Sequence, residues 1–162
     1  MNKTTTMIPA SFLRRLGAWL YDGLIVTALS MLAGAIGLGI AAMLNQIGII
    51  DLTQYVDISD YLSRHPIISP IYTAYLFALP IFFYAYFWCK HGQTLGMQAW
   101  RLKLQNKKGE NLRLMQALIR MATSGFGLGN LLVLINQSRQ SLQDLMAECE
   151  MVYLPTEKKK GR

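Results

Sequence analysis

The sequence contains little charge for its length. Only 15% of its 162 residues are charged, whereas 52% are hydrophobic, and the mean hydropathy is +0.26. Soluble domains carry about 25% charged residues. The composition therefore argues against an ordinary soluble domain and favours a membrane protein, and the length predicts a single domain.

Cysteines and catalytic motifs are also scarce. Cys89 and Cys149 are the only cysteines, and neither belongs to a CxxC motif or a Cys/His cluster, so neither a zinc site nor a disulfide framework is predicted. The sequence has no Ser/His/Asp set, no metal-ligand spacing and no phosphate-binding loop. We expect a protein that is not an enzyme and that has no metal and no cofactor.

Acidic residues are outnumbered, with 9 Asp and Glu against 16 Lys and Arg and a net charge of +7. Nucleic-acid binding is one interpretation of such a balance, but no polar face is large enough to hold a groove. The basic residues lie beside apolar segments, a pattern that membrane orientation explains more simply. The expected partner is the lipid bilayer, with no nucleic acid.

Three apolar segments, residues 16–44, 67–88 and 118–135, are candidates to cross this bilayer. A spanning helix needs about 20 mostly apolar residues. The first two segments meet that length, and the first is too long for the apolar region of a signal peptide, which is about 7–15 residues. The third is shorter and contains Arg120 and the glycine-rich "SGFGLGN". We predict an all-α membrane protein with two firm transmembrane helices and a third segment that either spans or is re-entrant.

Lysine and arginine predict the orientation. They are frequent before the first segment and in the loop between the second and third, whereas the loop between the first and second has a single arginine against three aspartates. The positive-inside rule places the tail (residues 1–10) and the basic loop in the cytoplasm and the first loop outside. The membrane domain is predicted over residues 11–154, followed by a basic tail, 155–162. The first loop also has helical spacing and predicts a short surface helix.

The basic loop is predicted to fold as a small cytoplasmic β-hairpin or sheet. "WRLKLQ" alternates as a strand does, "NKKG" supplies a turn, and "ENLRL" is a candidate return strand. "ECEMVYL" near the C-terminus alternates too and is a candidate third strand. If it joins the sheet, the C-terminus is cytoplasmic, which a single crossing by segment 118–135 would not allow. Re-entry at Gly125, Gly127 and Gly129 is one solution. A third span with a tail that breaks the rule is the other.

Asp22 is a carboxylate inside an apolar segment. It lies seven residues after Arg15, so both occupy nearly the same face of a helix, with Ala18 between them. Ionisable groups in a membrane usually face a protein interior or a water-filled cavity, and they pair. Arg120 and Arg15 are its candidate partners, and Asp144 is a second acid that could join them at one interface.

Three blocks of the chain resemble the RDD family of small bacterial membrane proteins, which is named for an arginine and two aspartates. They are "RRLGAWLYDGLIV", "GQTLGMQAWRLKLQNKKGENLRLMQALIR" and "RQSLQDLMAECEMVYL". The arginine matches Arg15, and the aspartates match Asp22 and Asp144. "TLG", Thr94 to Gly96, also matches, whereas the usual histidine before the second aspartate is Gln143 here. The resemblance implies a transport-related membrane protein of unknown ligand, and some members are linked to sodium–proton exchange.

Two interpretations of the cluster of Arg15, Asp22, Arg120 and Asp144 remain open. In the first, an intramembrane acid alternately binds a proton and a small cation, as a component of cation- or proton-coupled transport requires. In the second, the four residues form a structural ion network in a non-catalytic scaffold or accessory subunit. Burial raises a carboxyl pKa and a nearby arginine lowers it, so both interpretations are physically reasonable.

A row of small residues in the first segment predicts close helix packing. Ala33, Gly37 and Ala41 recur at four-residue spacing, which lets helices approach closely. Packing within one chain and packing between chains both fit this pattern. Since two or three helices rarely enclose a path for a solute, we expect a homo-oligomer or a complex with another membrane protein.

Overall fold

The structure, a computed structural model, describes residues 8–124 and 140–155. The elements within these ranges, in chain order, are β1 (Ile8–Pro9), α1 (Phe12–Gln46), α2 (Ile58–Arg64), α3 (Ile68–Lys90), α4 (Leu95–Ala99), β2 (Leu102–Asn106), α5 (Leu114–Thr123), α6 (Leu142–Met146) and β3 (Cys149–Tyr153). They belong to two compact units. Unit 1 comprises the chain up to Gly23 and from Tyr84 onward, and unit 2 is Leu24–Phe83.

Within the described residues, helices α1 and α3 are the two candidate membrane spans. They contain 35 and 23 residues, and only 11% of the most apolar stretch of each is buried. The core helix of a soluble protein would be mostly buried, whereas these helices expose large apolar side chains such as Leu24, Met31 and Phe82. The prediction of two apolar helices is confirmed, and α1 begins four residues before the predicted boundary.

The third apolar segment differs from its prediction where the structure describes it. Helix α5 begins at Leu114 and ends at Thr123, and its Arg120 is buried in unit 1. This short helix turns its polar face toward the protein. The rest of segment 118–135, including Gly125, Gly127 and Gly129, lies outside the described residues, so the choice between a span and a re-entrant segment remains a prediction.

Unit 1 contains a three-stranded antiparallel sheet in the order β1-β3-β2. Leu104 of β2 lies opposite Met151 of β3, and Pro9 of β1 lies opposite Val152. The chain immediately before α1 is therefore hydrogen-bonded to the strand that follows α6. Leu102, Leu104, Cys149 and Met151 are buried in one apolar core, as the alternation of both segments predicts.

The predicted return strand "ENLRL" is wrong, so the sheet is not built from a hairpin. The Asn106 side chain accepts hydrogen bonds from the backbone of Lys108 at 2.8 Å and Glu110 at 3.0 Å, which closes the turn. The chain then leaves the sheet, Leu112 enters the core, and α5 follows. The distant strand β3 pairs with β2 instead, and its alternating residues Cys149 and Met151 are buried in the core.

Unit 2 uses the row of small residues for packing within the chain. The Tyr72 hydroxyl donates to the Gly34 carbonyl at 3.2 Å, and the Tyr75 hydroxyl donates to the Ala33 carbonyl at 3.3 Å. A Cβ atom at Gly37 would lie 2.6 Å from the Tyr72 ring, so glycine is required for this approach. Ala41 packs with the buried Tyr61 and Leu62 of α2.

The predicted short helix in the first loop is present as α2. Asp57 caps it by accepting a hydrogen bond from the Asp60 backbone at 2.8 Å, as aspartate does at many helix N-termini. The position of this loop outside the cell remains a prediction.

Candidate functional site

Three charged side chains from distant parts of the sequence meet inside unit 1. Arg15 lies in the first turn of α1, Arg120 in the last turn of α5 and Asp144 in α6. Each is no more than 2% exposed. Buried ions are costly unless they are paired and hydrogen-bonded, so their mutual contacts determine whether this interior is stable.

Asp144 provides the shared anion of this cluster. Arg15 Nη1 lies 2.6 Å from Asp144 Oδ2, and Arg120 Nη1 contacts Asp144 Oδ1. The Ser141 backbone N–H also donates to Oδ2, at 3.1 Å. Each carboxylate oxygen thus accepts from one guanidinium. We call Arg15, Asp144 and Arg120 the arginine–aspartate triad.

Local sequence places Asp144 where both arginines reach it. Ser141 is the N-cap of α6, and Ser141 and Asp144 form a reciprocal capping box in which each side chain accepts from the other's backbone N–H. Arg15 also donates to the Ser141 hydroxyl at 3.4 Å and to the Ala10 carbonyl at 3.3 Å. A serine followed three residues later by an acid is therefore the local reason for the position of the carboxylate.

Arg120 has two further neighbours that sequence reasoning did not assign to the site. Its guanidinium carbon lies 5.4 Å from the centre of a Trp88 ring, within the range of a cation–π interaction. Its Nη1 donates to Cys149 Sγ at 3.2 Å. The only sequence signal for Cys149 is its position on the apolar face of an alternating strand.

Asp22 lies at a separate place in unit 1, where its described hydrogen bonds come from neutral groups. The Thr94 hydroxyl donates to Oδ2, and the Gly96 backbone N–H donates to Oδ1 at 2.8 Å. Thr94 Oγ1 in turn accepts from the Met97 N–H at 3.2 Å and caps α4. The residues that bind Asp22 are therefore the ends of the "TLG" motif.

This arrangement differs from the arginine partner predicted for Asp22. Seven residues of helix separate Asp22 from Arg15 by about 10 Å along the axis, although the two share a face. Arg15 and Arg120 both bind Asp144, and the Thr94 hydroxyl and the Gly96 backbone N–H bind Asp22. The four predicted residues thus form two sites, and the structure brings three of them together.

The charges of the triad shift the acid equilibrium of Asp144. Burial alone would raise the pKa of this carboxyl, but the positive charges of Arg120 and Arg15 outweigh burial and lower the pKa from 3.8 to about 2. A group whose pKa is lower in the folded state contributes stability above its unfolded pKa and loses it as the pH falls toward the folded pKa.

Thermal stability is therefore expected to be nearly constant between about pH 7 and pH 5 and to fall between about pH 4 and pH 2 as Asp144 takes up a proton. The measurement is the melting temperature of the detergent-solubilised protein across this range. An Asp144→Asn variant should show a shallower decline. An equally steep decline in the variant would show that other carboxyls cause the acid sensitivity.

In the described ranges, no group of three or more His, Cys, Asp or Glu side chains is arranged to hold a metal ion. The triad itself offers one carboxylate whose two oxygens already accept from guanidinium groups. The chemistry that this arrangement supports is the mutual neutralisation of buried charges.

Comparison with known proteins found one family whose model matches the chain. The model of the RDD family matches residues 9–148, a range that includes both arginines of the triad, Asp144, Asp22 and the "TLG" motif. Searches among curated proteins and among solved structures found no match. The match covers most of the sequence, and the two apolar helices are consistent with membrane insertion. The chain belongs to the RDD family.

Proposed function

We propose that this protein is a non-catalytic scaffold or accessory subunit of the bacterial cytoplasmic membrane, in which the arginine–aspartate triad is an architectural ion network. The observation that carries the proposal is the saturation of Asp144, whose two carboxylate oxygens accept from Arg15, Arg120 and the Ser141 backbone.

The charge of the triad supports an architectural role. A carboxylate that binds a mobile cation must release its present donors, and both oxygens of Asp144 accept from guanidinium groups that stay protonated at any physiological pH. Two arginines and one aspartate also give the triad a formal charge of +1, which repels a second cation. Its contacts join the first turn of α1 to α5 and α6 and thereby hold unit 1 together.

The test compares protein level with transport. Membrane abundance and melting temperature are measured for wild type and for an Arg120→Met variant, and ion flux is measured in proteoliposomes at matched protein content. An architectural triad predicts lower abundance and stability with no flux above that of empty vesicles in either protein. A wild-type flux that Arg120→Met abolishes at unchanged stability would contradict the proposal.

A component of cation- or proton-coupled transport is the second candidate, and it is favoured by Asp22. This acid is 3% exposed and belongs to an apolar helix. Its described donors are a hydroxyl and a backbone N–H rather than a cation. Such a carboxyl lacks the arginine that would keep it permanently ionised, so proton uptake by Asp22 is chemically feasible.

The two candidates are separated by Asp22→Asn and Thr94→Val, variants that weaken the same hydrogen bond from opposite sides. Transport by Asp22 predicts that Asp22→Asn abolishes pH-driven flux in proteoliposomes, whereas Thr94→Val keeps the acid and retains flux. A structural Asp22 predicts that both variants lower stability and that neither changes a flux. Growth under salt or alkaline stress provides the cellular readout.

The topology we propose has the N-terminus, the basic loop and the C-terminal part in the cytoplasm. Positive charge before and in the first turn of α1 and after α3 supports it. It is further supported by the sheet, because β1 precedes α1 and pairs with β3, and hydrogen-bonded strands must lie on one side of a bilayer. Reporter fusions after Pro155 and within residues 51–57 test the topology. Cytoplasmic activity is expected for the first fusion and external activity for the second.

Function in the membrane also requires a partner, which we propose is a second copy of the chain or another membrane protein. The small residues Ala33 and Gly37 already contact tyrosines within unit 2, so a partner would use a different face of α1. Mass measurement of the complex in native-like nanodiscs tests this. A strictly monomeric protein without co-purifying partners would contradict it.

A further inference from the structure

Helices α5 and α6 show an inverted distribution of polar and apolar side chains. In α5, Arg120 is buried, whereas four large apolar side chains are exposed. In α6, Asp144 and Gln143 are buried, and three large apolar side chains are exposed. The exposed set, which we call the α5–α6 surface, is Leu114, Met115, Leu118, Ile119, Leu142, Leu145 and Met146.

This pattern is the reverse of a helix that faces water. A surface helix of a soluble protein turns its apolar residues toward the core and its polar residues outward. Met115 is 67% exposed, Leu114 60% and Met146 56%. Contiguous exposed apolar patches of this kind mark membrane or protein interaction sites.

The same inversion is present in α1, which is a candidate membrane span. Over its first three turns, Arg15 and Asp22 are buried, whereas Leu13 and Leu20 are more than half exposed. The α5–α6 surface and the first turns of α1 both belong to unit 1, and both bury polar residues and expose apolar ones. The length and composition of α1 suit a bilayer, so the same environment suits the α5–α6 surface.

The triad sets the depth of the α5–α6 surface. Arg15 is the fourth residue of α1, which places it only about 5 Å from the start of the helix. Arg120 and Asp144 contact it directly or through the shared carboxylate. The two short helices thus lie level with the first turn of α1, and we place this level at the membrane interface, where in-plane amphipathic helices bury their apolar faces by about 5–10 Å.

An exposed basic side chain lies at the start of α5. Arg113 directly precedes this helix and is exposed. Exposed cations next to an inserted apolar face attract anionic lipid headgroups, with about 1 kcal/mol for each Lys or Arg near the membrane surface.

We propose that the α5–α6 surface is a membrane-inserted platform that binds lipid acyl chains in the plane of the interface, with Arg113 at an anionic headgroup. The occupant is lipid rather than a second copy of the chain. The platform is independent of whether Asp22 carries protons, because Asp22 binds Thr94 and Gly96 at the start of α4 rather than α5 or α6.

The first test uses the full-length chain with a benzophenone amino acid at Met115 or Met146, reconstituted in vesicles of phosphatidylcholine and phosphatidylglycerol. After irradiation, intact mass should show lipid adducts at both positions, at least about fivefold above a control with the same amino acid at Lys107. Adducts to a second copy, adducts to residues 125–139 of the same chain, or yields at the Lys107 level would each overturn the proposal.

Headgroup preference is tested with Arg113→Gln in the same assay. The ratio of phosphatidylglycerol to phosphatidylcholine adducts should fall about fivefold, the effect of one surface charge. The matched control Arg64→Gln removes an exposed arginine from unit 2 and should leave the ratio unchanged. Equal ratios in wild type and Arg113→Gln would overturn the role of Arg113.

A second measurement uses the native chain, in case the photoreactive variants do not fold. Chloramine-T is a charged oxidant that stays in water and oxidises accessible methionines. In vesicles, Met115 and Met146 should react at least about tenfold more slowly than in the urea-unfolded chain, as should Met31 of the apolar helix. Oxidation of Met115 and Met146 at the unfolded rate would overturn the proposal.

Discussion

Replacing Asp144 by asparagine is expected to lower the melting temperature of the solubilised protein by on the order of 10 °C and to deplete it from the membrane. The change leaves Arg15 and Arg120 buried with no counter-charge between them. Removing one partner of a buried ion pair costs about 3–5 kcal/mol, and each kcal/mol shifts the melting temperature of a chain of this size by about 2–4 °C. Fluorescence-detected gel filtration after heating measures the effect.

A matched control for Asp144→Asn is Asp60→Asn. Asp60 pairs with Arg64 at 3.2 Å, but the Arg64 side chain is 72% exposed. Exposed pairs contribute about 0–1 kcal/mol, so this variant should melt within a few degrees of wild type. Equal losses in the two variants would mean that the buried triad has no special role in stability.

The double variant Asp144→Asn with Arg120→Met sharpens this test. It removes one of the two buried arginines that share the Asp144 carboxylate and so lowers the excess positive charge, and its melting temperature should be higher than that of Asp144→Asn alone. Coupling of this kind is expected only for residues that interact directly. A strictly additive further loss would contradict the proposed charge balance.

Adding one methyl group at Gly96 is expected to disrupt the Asp22 site. A Cβ atom there would lie 2.9 Å from both Cγ and Oδ1 of Asp22 and closer still to the Ala18 carbonyl oxygen. Helix α4 would have to move away from α1, which would lengthen the hydrogen bond from the Gly96 N–H to Asp22. Overpacking of this kind costs about 1–3 kcal/mol, and Gly96→Ala should lower the melting temperature accordingly.

The same substitution at Gly23 is expected to have the opposite sign. Gly23 lies one residue after Asp22 in α1, and nothing lies within 4 Å of the position of its Cβ. Alanine in a helix is more stable than glycine by about 0.5–1 kcal/mol, so Gly23→Ala should leave the melting temperature unchanged or raise it slightly. Destabilisation by both variants would show that α1 tolerates no added methyl group, and the close contact at Gly96 would not be the cause.

The sequence alone was sufficient to predict the apolar helices, the short helix α2 and the strands at residues 102–106 and 149–153. These features depend on the hydropathy and periodicity of contiguous residues, which add along the chain. The family was also predictable, because the three blocks keep their order and spacing. The return strand predicted in "ENLRL" is wrong although its residues do alternate. Local alternation does not show which strand pairs with β2, and β3, more than 40 residues away, takes that place.

The pairing of the charged residues was decided only by the tertiary structure. The sequence placed Arg15 and Asp22 on one helix face, but it could not show that Arg15 binds Asp144 across 129 residues or that Asp22 binds Gly96 across 74. Hydropathy is a sum over neighbouring residues, so a prediction from it does not depend on exact atomic positions. A hydrogen bond or ion pair requires two atoms about 3 Å apart, and that distance is set by how remote segments pack.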